Sequence, residues 1–346
     1  EKNKNVKQIL VTSSTLSSSS VLKKLNLKKT IHQFFPVDTN FLSKKFLNYW
    51  KPSVAIFVES EIWPNMILNI SKKSIPLLLL NARITKKSFN RWNSISSLSK
   101  ILFGSFDNTF PQNNETKKYL KILGAKKIKM IGNLKFCENE IQKSYSFNNK
   151  LKKFFQSKKI WCASSTHETE EKMCAIAHNE LKKKYKNLLT IIIPRHVHRV
   201  KSIAEEIKDL KLNYSTHSSE IKFNKNTEIY LVDTYGETKY FFNICKTVFL
   251  GGSIIPHGGQ NPLESIRFGC NVIHGPNTAN FKEIYDLLKL NGLSKKINNS
   301  EQLIKALDIS FNKKGNSLKK INKIKKIGSK ILDNTFREVE YYIKKK

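Results

Sequence analysis

Short apolar runs alternate with longer, helix-like stretches along almost the whole chain, and no other feature constrains its fold as strongly. The run Val54-Ala55-Ile56-Phe57-Val58 is apolar at consecutive positions, so both faces of that strand need cover. Strands of this kind belong to parallel sheets with helices on both sides. In the first half, strands are expected at 8–12, 32–37, 53–58, 75–80, 105–110 and 128–131, with helices at 16–25, 39–50, 64–73 and 113–123. This β-α-β-α order predicts a doubly wound α/β fold.

Residues 133–150 break the rhythm with Asn, Lys, Glu and Ser, and read as a linker. A second set follows, with strands at 160–163, 188–194, 228–232, 246–250 and 271–274. Its helices are expected at 168–185, 200–210 and 281–290, and two more, 300–311 and 318–342, close the chain. A chain of 346 residues accommodates two ordinary domains. The expectation is two Rossmann-like domains facing a cleft, 1–140 and 141–346. Ligands of such sheets sit at the carboxyl ends of the strands, so the chemistry should lie in the loops that follow them.

Charge is the next constraint. Lys and Arg number 62 against 27 Asp and Glu, a net charge of +35. Six of the 62 are Arg, at positions 83, 91, 195, 199, 267 and 337, and the rest are Lys. Readers of nucleic acid favour Arg, whose planar fork pairs bidentately with bases and phosphates. A Lys- and Asn-heavy surface looks instead like compositional bias, and no specific nucleic-acid partner is expected. The scarcity of Arg makes each one more informative. The five cysteines, Cys137, Cys162, Cys174, Cys245 and Cys270, include no C-x-x-C pair, which excludes a zinc ribbon and fits a reducing compartment. No apolar run approaches the ~18 residues of a membrane span.

Glycine gives the sharpest positional signal. Six of 13 Gly fall between Gly251 and Gly275. There a strand runs into Gly251-Gly252-Ser253, a loop carries Gly258-Gly259, and Asn261-Pro262-Leu263-Glu264 opens a helix. Asn is a good cap, Pro suits the first helical position, and free N–H groups at a helix start attract phosphate. Pro194-Arg195-His196 follows another strand, and Arg195 there suits a phosphate or carboxylate clamp. His196 and His198 lack a third ligand nearby, so no metal is expected. Asp233-Thr234-Tyr235-Gly236-Glu237 supplies a turn and a carboxylate after a third strand. Ser164-Ser165-Thr166-His167-Glu168 is either a ligand contact or a capping box in which Glu168 answers Ser165. Earlier, Glu59-Ser60-Glu61-Ile62-Trp63-Pro64 places two carboxylates at a strand end, where they suit acid–base or acceptor-binding work or the capping of a helix. Arg83 ends the next strand in Asn81-Ala82-Arg83, and Lys135 lies in Gly132-Asn133-Leu134-Lys135-Phe136 just before the linker, placed to project into the cleft.

Taken together and in order, these segments resemble the bacterial 3-deoxy-D-manno-octulosonic acid (Kdo) transferases of lipopolysaccharide synthesis. Gly275-Pro276-Asn277-Thr278 and Asn280-Phe281 extend the match to about residue 285. The resemblance implies a GT-B glycosyltransferase with an acceptor-binding first domain and a donor-binding second one. It implies a metal-independent, inverting transfer of Kdo from CMP-Kdo to a lipid A precursor, lipid IVA, with no cofactor, at the cytoplasmic face of the anionic inner membrane. Matched by motif, Pro194, Arg195, Tyr235, Gly236, Glu237, Asn261, Pro262, Leu263 and Glu264 would hold CMP. Glu59 and Lys135 would stabilise the transition state, and Glu61, Arg83, Ser165, Thr166, His167, Gly252 and Ser253 are further candidates. The alternatives are a GT-B transferase using a UDP-sugar, or a basic nucleic-acid-binding protein.

The chain departs from the family pattern in places. Gln260 stands where a His is usual, Tyr235 replaces a Met and Thr169 a Gly. The family's proposed base, a Glu in a Ser-Val-Gly-Glu segment, is absent, since the one Gly-Glu pair here is Gly236-Glu237 of the donor site. The expectation is a first domain incomplete at its start, and no transfer by the chain as given.

Overall fold

Four helices of the first half begin on a Thr or Asn whose side-chain oxygen accepts a backbone N–H three residues on, as N-caps should. Thr15, Thr39, Thr85 and Asn113 do this for α1 (Leu16–Leu25), α2 (Asn40–Trp50), α4 (Lys86–Asn93) and α6 (Asn114–Ile122). α3 (Pro64–Lys72) opens on proline and is capped from a distance. The Asp38 carboxylate accepts the N–H groups of Asn65 and Met66, at 3.0 and 2.8 Å. α5 (Ser96–Gly104) follows α4, and neither is legible in the Ser-, Lys- and Asn-rich stretch that forms them.

The computed structural model describes residues 1, 3–137, 145–218, 224–312 and 317–344. The chain divides into two units, Glu1–Cys137 with Gly328–Lys346, and Glu138–Ile327. The end of the chain, expected with the second domain, belongs to the first unit.

In the first unit, β1 (Ile9–Ser13) pairs in parallel with β2 (Thr30–Phe34), and β3 (Ala55–Val58), β4 (Leu77–Ala82) and β5 (Asn108–Pro111) form a second parallel sheet. β4 is buried throughout, as its unbroken Leu run requires. β3 is covered on one face only. Phe57 is buried, whereas Ile56 and Val58 are exposed, contrary to the two-sided cover expected. The strand expected at 128–131 is reduced to one bridge, Ile128 with Thr109.

The second unit carries one seven-stranded parallel sheet, built from β6 (Lys159–Thr166), β7 (Leu188–Pro194), β8 (Tyr214–Thr216), β9 (Ile229–Leu231), β10 (Thr247–Leu250), β11 (Asn271–His274) and β12 (Ser294–Lys296). Its order is β12-β11-β10-β6-β7-β9-β8. Helices α7 (Asn149–Gln156), α8 (Glu170–Lys184), α9 (Val200–Asp209), α10 (Thr238–Ile244), α11 (Leu263–Arg267), α12 (Lys282–Leu290) and α13 (Ser300–Asn312) accompany it. Trp161, Ile192, Leu231, Phe249 and Ile273 project from five neighbouring strands into one core with Cys174, Leu181, Ile203 and Leu303. Part of the expected linker is ordered structure, since α7 begins at Asn149, capped by Asn148, and Leu134–Cys137 form a 3-10 turn. Residues 138–144 of that linker lie outside the described residues.

α14 (Ser317–Lys344) closes the chain. Its Gly328 passes so close to the 3-10 turn that a Cβ there would lie 2.3 Å from the Phe136 carbonyl oxygen. The Cys137 thiol donates to the Gly328 carbonyl at 3.3 Å. The last helix therefore clamps the turn that carries Lys135.

Candidate functional site

In the first unit neither Glu59 nor Glu61 is needed to cap α3, because Asp38 already does so. Glu59 follows β3 with φ +58 and Asn81 is the penultimate residue of β4 with φ +50, both left-handed, where most side chains pay a strain cost. The turned backbones bring their side chains together. Asn81 Nδ2 donates to Glu59 Oε1 at 3.3 Å, and Asn81 Oδ1 accepts the Leu134 N–H at 3.0 Å. Lys135 Nζ lies 3.4 Å from Glu59 Oε1. Asn81 is buried and holds both the carboxylate and the turn bearing the lysine. It was legible as part of a motif but not as the residue joining Glu59 to Lys135. Of the other two candidates, Glu61 accepts from Trp63 Nε1 at 2.7 Å, and the Arg83 backbone is tied to Glu59 and Ser60.

In the second unit the order β10-β6-β7-β9 sets four loops side by side along the carboxyl edge of the sheet. They carry 251–264, 165–169, Arg195 and 233–237. Crossovers diverge between β6 and β10, the topological switch point where such sheets bind ligands. Here that place is filled by the protein itself. The Glu170 carboxylate is fully buried and accepts four backbone N–H groups, from Gly252 (2.7 Å), Ser253 (3.0 Å), Ile254 (2.9 Å) and His167 (3.0 Å). A Cβ on Gly251 would lie 2.7 Å from Glu170 Oε2 and 2.4 Å from the Ser165 carbonyl oxygen, so glycine is required for this approach. The glycine-rich loop is a nest for an anion, but the anion is internal. The Ser253 hydroxyl is likewise used internally, between the Leu250 carbonyl and the Gly275 N–H.

The capping box expected at Ser165 and Glu168 does not form. α8 starts at Glu170, behind Thr169 in the left-handed region at φ +73, and Glu170 rather than Glu168 reaches back, to the N–H of His167. Glu168 is exposed. His167 is buried, with its Nδ1 3.1 Å from the Ser165 carbonyl and its ring 4.3 Å from that of His257. Burial, then the neighbouring His257, hold its pKa below the ordinary value, so it stays neutral and does not serve as counter-ion to Glu170 4.0 Å away. No cluster of three His, Cys, Asp or Glu suited to a metal exists among the described residues.

Arg195 is exposed just past Pro194 at the end of β7, with its N–H on the Thr166 carbonyl. Arg199 is committed to Glu171, by two contacts of 2.9 and 3.3 Å. Asn261 Oδ1 accepts the Leu263 N–H at 3.1 Å, so Asn261 caps as expected, although Pro262 is the residue preceding the helix rather than its first member. α11 is five residues long, and its dipole is correspondingly weak. Glu264 pairs with Lys239 at 3.4 Å. Tyr235, Gly236 and Glu237 occupy the loop between β9 and α10. Glu237 is held by Thr234 and by His217, whose Nε2 is 3.2 Å from Glu237 Oε2. Nothing local in the sequence marks His217, which follows the three-residue β8, twenty positions before its partner.

Comparison with known proteins identifies relatives of the chain. A family model described as 3-deoxy-D-manno-octulosonic-acid transferase (kdotransferase) matches residues 1–138. The 3-deoxy-D-manno-octulosonic acid transferase of Haemophilus influenzae is 31% identical over 310 residues, which are 88% of this chain and 73% of the relative. That of Rickettsia typhi is 30% identical over 336 residues, 97% of this chain and 72% of the relative. Among solved structures, UDP-GlcNAc 2-epimerase of Methanocaldococcus jannaschii aligns with a TM-score of 0.56 at 19% identity, over 89% of this chain and 86% of that one. The epimerase of Neisseria meningitidis gives 0.54 at 14% identity, over 94% and 91%. These two likenesses concern the fold, which is the GT-B type.

Proposed function

This chain belongs to the 3-deoxy-D-manno-octulosonic acid transferase family, and from that premise we propose that it moves Kdo from CMP-Kdo to a lipid A precursor, by inversion and without a metal. It is a glycosyltransferase of GT-B fold. The observation that carries the donor assignment is the placement of Arg195. It is an exposed guanidinium at the carboxyl end of β7, next to the loop 233–237 that follows the adjacent strand β9. In transfer, the bond from the sugar to the CMP phosphate oxygen breaks as the acceptor hydroxyl bonds to the same carbon. The hydroxyl proton passes to a base, and negative charge gathers on the departing phosphate. Arg195 would meet that charge, helped by the Asn261–Glu264 loop. In the first unit, Glu59 and Lys135 would stabilise charge at the transition state, with their pairing keeping both in place.

The acceptor is amphiphilic and anionic. α1 supports work at such a surface, because Leu16, Val21 and Leu25 are exposed beside Lys23 and Lys24. No helix among the described residues is long and apolar enough to cross a membrane.

Calorimetry tests the donor assignment. CMP should bind, and Arg195→Ala should weaken it by about tenfold or more. Equal affinity in the two proteins would sink it, and a larger thermal shift from UDP than from CMP would favour a UDP-sugar enzyme.

A further inference from the structure

Glu237 is held in a way that its position in the chain does not require. It immediately precedes α10, where a carboxylate ordinarily caps the helix, yet its side chain makes no capping hydrogen bond. Its Oε2 instead accepts from the Thr234 hydroxyl and lies 3.2 Å from His217 Nε2. The other ring nitrogen of His217, Nδ1, is 2.9 Å from the Tyr230 hydroxyl. Tyr230 and His217 are both buried. With the phenol donating to Nδ1, the ring must carry its proton on Nε2 and present it to the carboxylate. The relay pins one oxygen of Glu237. The other, Oε1, has no hydrogen bond or ion pair among the described residues, and the side chain is 36% exposed.

The neighbourhood of this free oxygen is suited to a flat ligand. Tyr235 is 74% exposed. Gly236 turns the chain at φ +85, and a Cβ there would meet nothing within 4 Å. An exposed aromatic ring offers a stacking plane to any base, whereas an acceptor-only carboxylate discriminates between bases. It accepts from the exocyclic amine of cytosine and is repelled by the carbonyl oxygen that uracil carries at the same place.

We propose that Glu237 reads the exocyclic amine of a cytosine base stacked on Tyr235, and that His217 is its positioning residue. The inference rests on the reading that this unit binds CMP, and gives a physical reason for preferring a cytidine to a uridine nucleotide.

Titration calorimetry with CMP and UMP on the full chain tests it. The wild-type protein should prefer CMP by about ten- to a hundredfold. Glu237→Gln should bring the ratio near one by weakening CMP while sparing UMP. Tyr235→Ala should weaken both alike. His217→Gln, which keeps a donor near the Nε2 position, should retain most of the preference, and His217→Phe should abolish it. If His217→Phe does not fold, Tyr230→Phe interrupts the same relay and should lower the ratio. An unchanged ratio in Glu237→Gln overturns the base-reading role. Equal losses in His217→Gln and His217→Phe overturn the positioning role. CMP binding that depends on Arg195 with a ratio indifferent to Glu237 leaves the donor site standing and removes this inference alone; absence of CMP binding removes both.

Discussion

Thr169 is the clearest single-residue departure from good local chemistry. A β-branched side chain at φ +73 bears a strain of about 1–2 kcal/mol, and it is exposed, so packing does not compensate. It is the position where the resembling family carries Gly. Thr169→Gly is expected to raise the stability of the second unit by up to about 1 kcal/mol, read as a higher urea midpoint with an unchanged slope. A fall in the midpoint would show that Thr169 makes a contribution its geometry does not reveal. Asn81 and Glu59 adopt the same backbone conformation for a different return, since theirs sets the Glu59–Asn81–Lys135 contact.

At the scale of elements, Glu170 ties the start of α8 to the loop leaving β10. Four N–H donors satisfy one buried carboxylate, and each such charge-assisted bond is among the stronger kinds. Glu170→Gln turns an amide NH2 towards donors that need an acceptor, and should cost about 3 kcal/mol. Glu170→Ala leaves a hole lined by the same donors, so formate should recover part of its lost melting temperature while chloride at equal ionic strength should not. Failure of formate to act would mean that the loop rearranges once the carboxylate is gone. The same contacts explain why the glycine-rich segment, the most prominent motif in the sequence, contributes rigidity at its Gly251–Ile254 end rather than a vacant phosphate cradle.

For the molecule as a whole, the buried histidines of the second unit set a pH limit. Burial lowers the pKa of His167, His178 and His274, and that of His178 falls from 6.5 to about 4. The unfolded chain therefore takes up these protons first as the pH falls. For His178 the stability is complete above about 6.5 and is lost progressively down to about 4, a span of about 3 kcal/mol. Denaturant midpoints should fall between pH 7 and 4.5, and less steeply in His178→Leu. Parallel profiles in the two proteins would assign the decline to other groups. The net charge of +35 acts in the same direction, because protonating carboxylates adds to self-repulsion.

The sequence by itself determined the strands whose apolar runs are continuous. β7 lies at the expected residues 188–194, because a strand buried along its whole length is drawn mostly from apolar residue types. It also placed Arg195 and the loop 233–237 at strand ends, since Pro, Gly and Asp mark those ends locally. Weakly apolar segments were not legible; α4, α5 and α7 form in Lys-, Ser- and Asn-rich stretches whose helicity comes from capping and packing. Tertiary structure alone decided the partners. Which glutamate fills the glycine loop, which asparagine joins Glu59 to Lys135 and which histidine holds Glu237 depend on strand order and on backbone turns. Those bring together residues far apart in the chain, and periodicity and local motifs carry no information about such pairs.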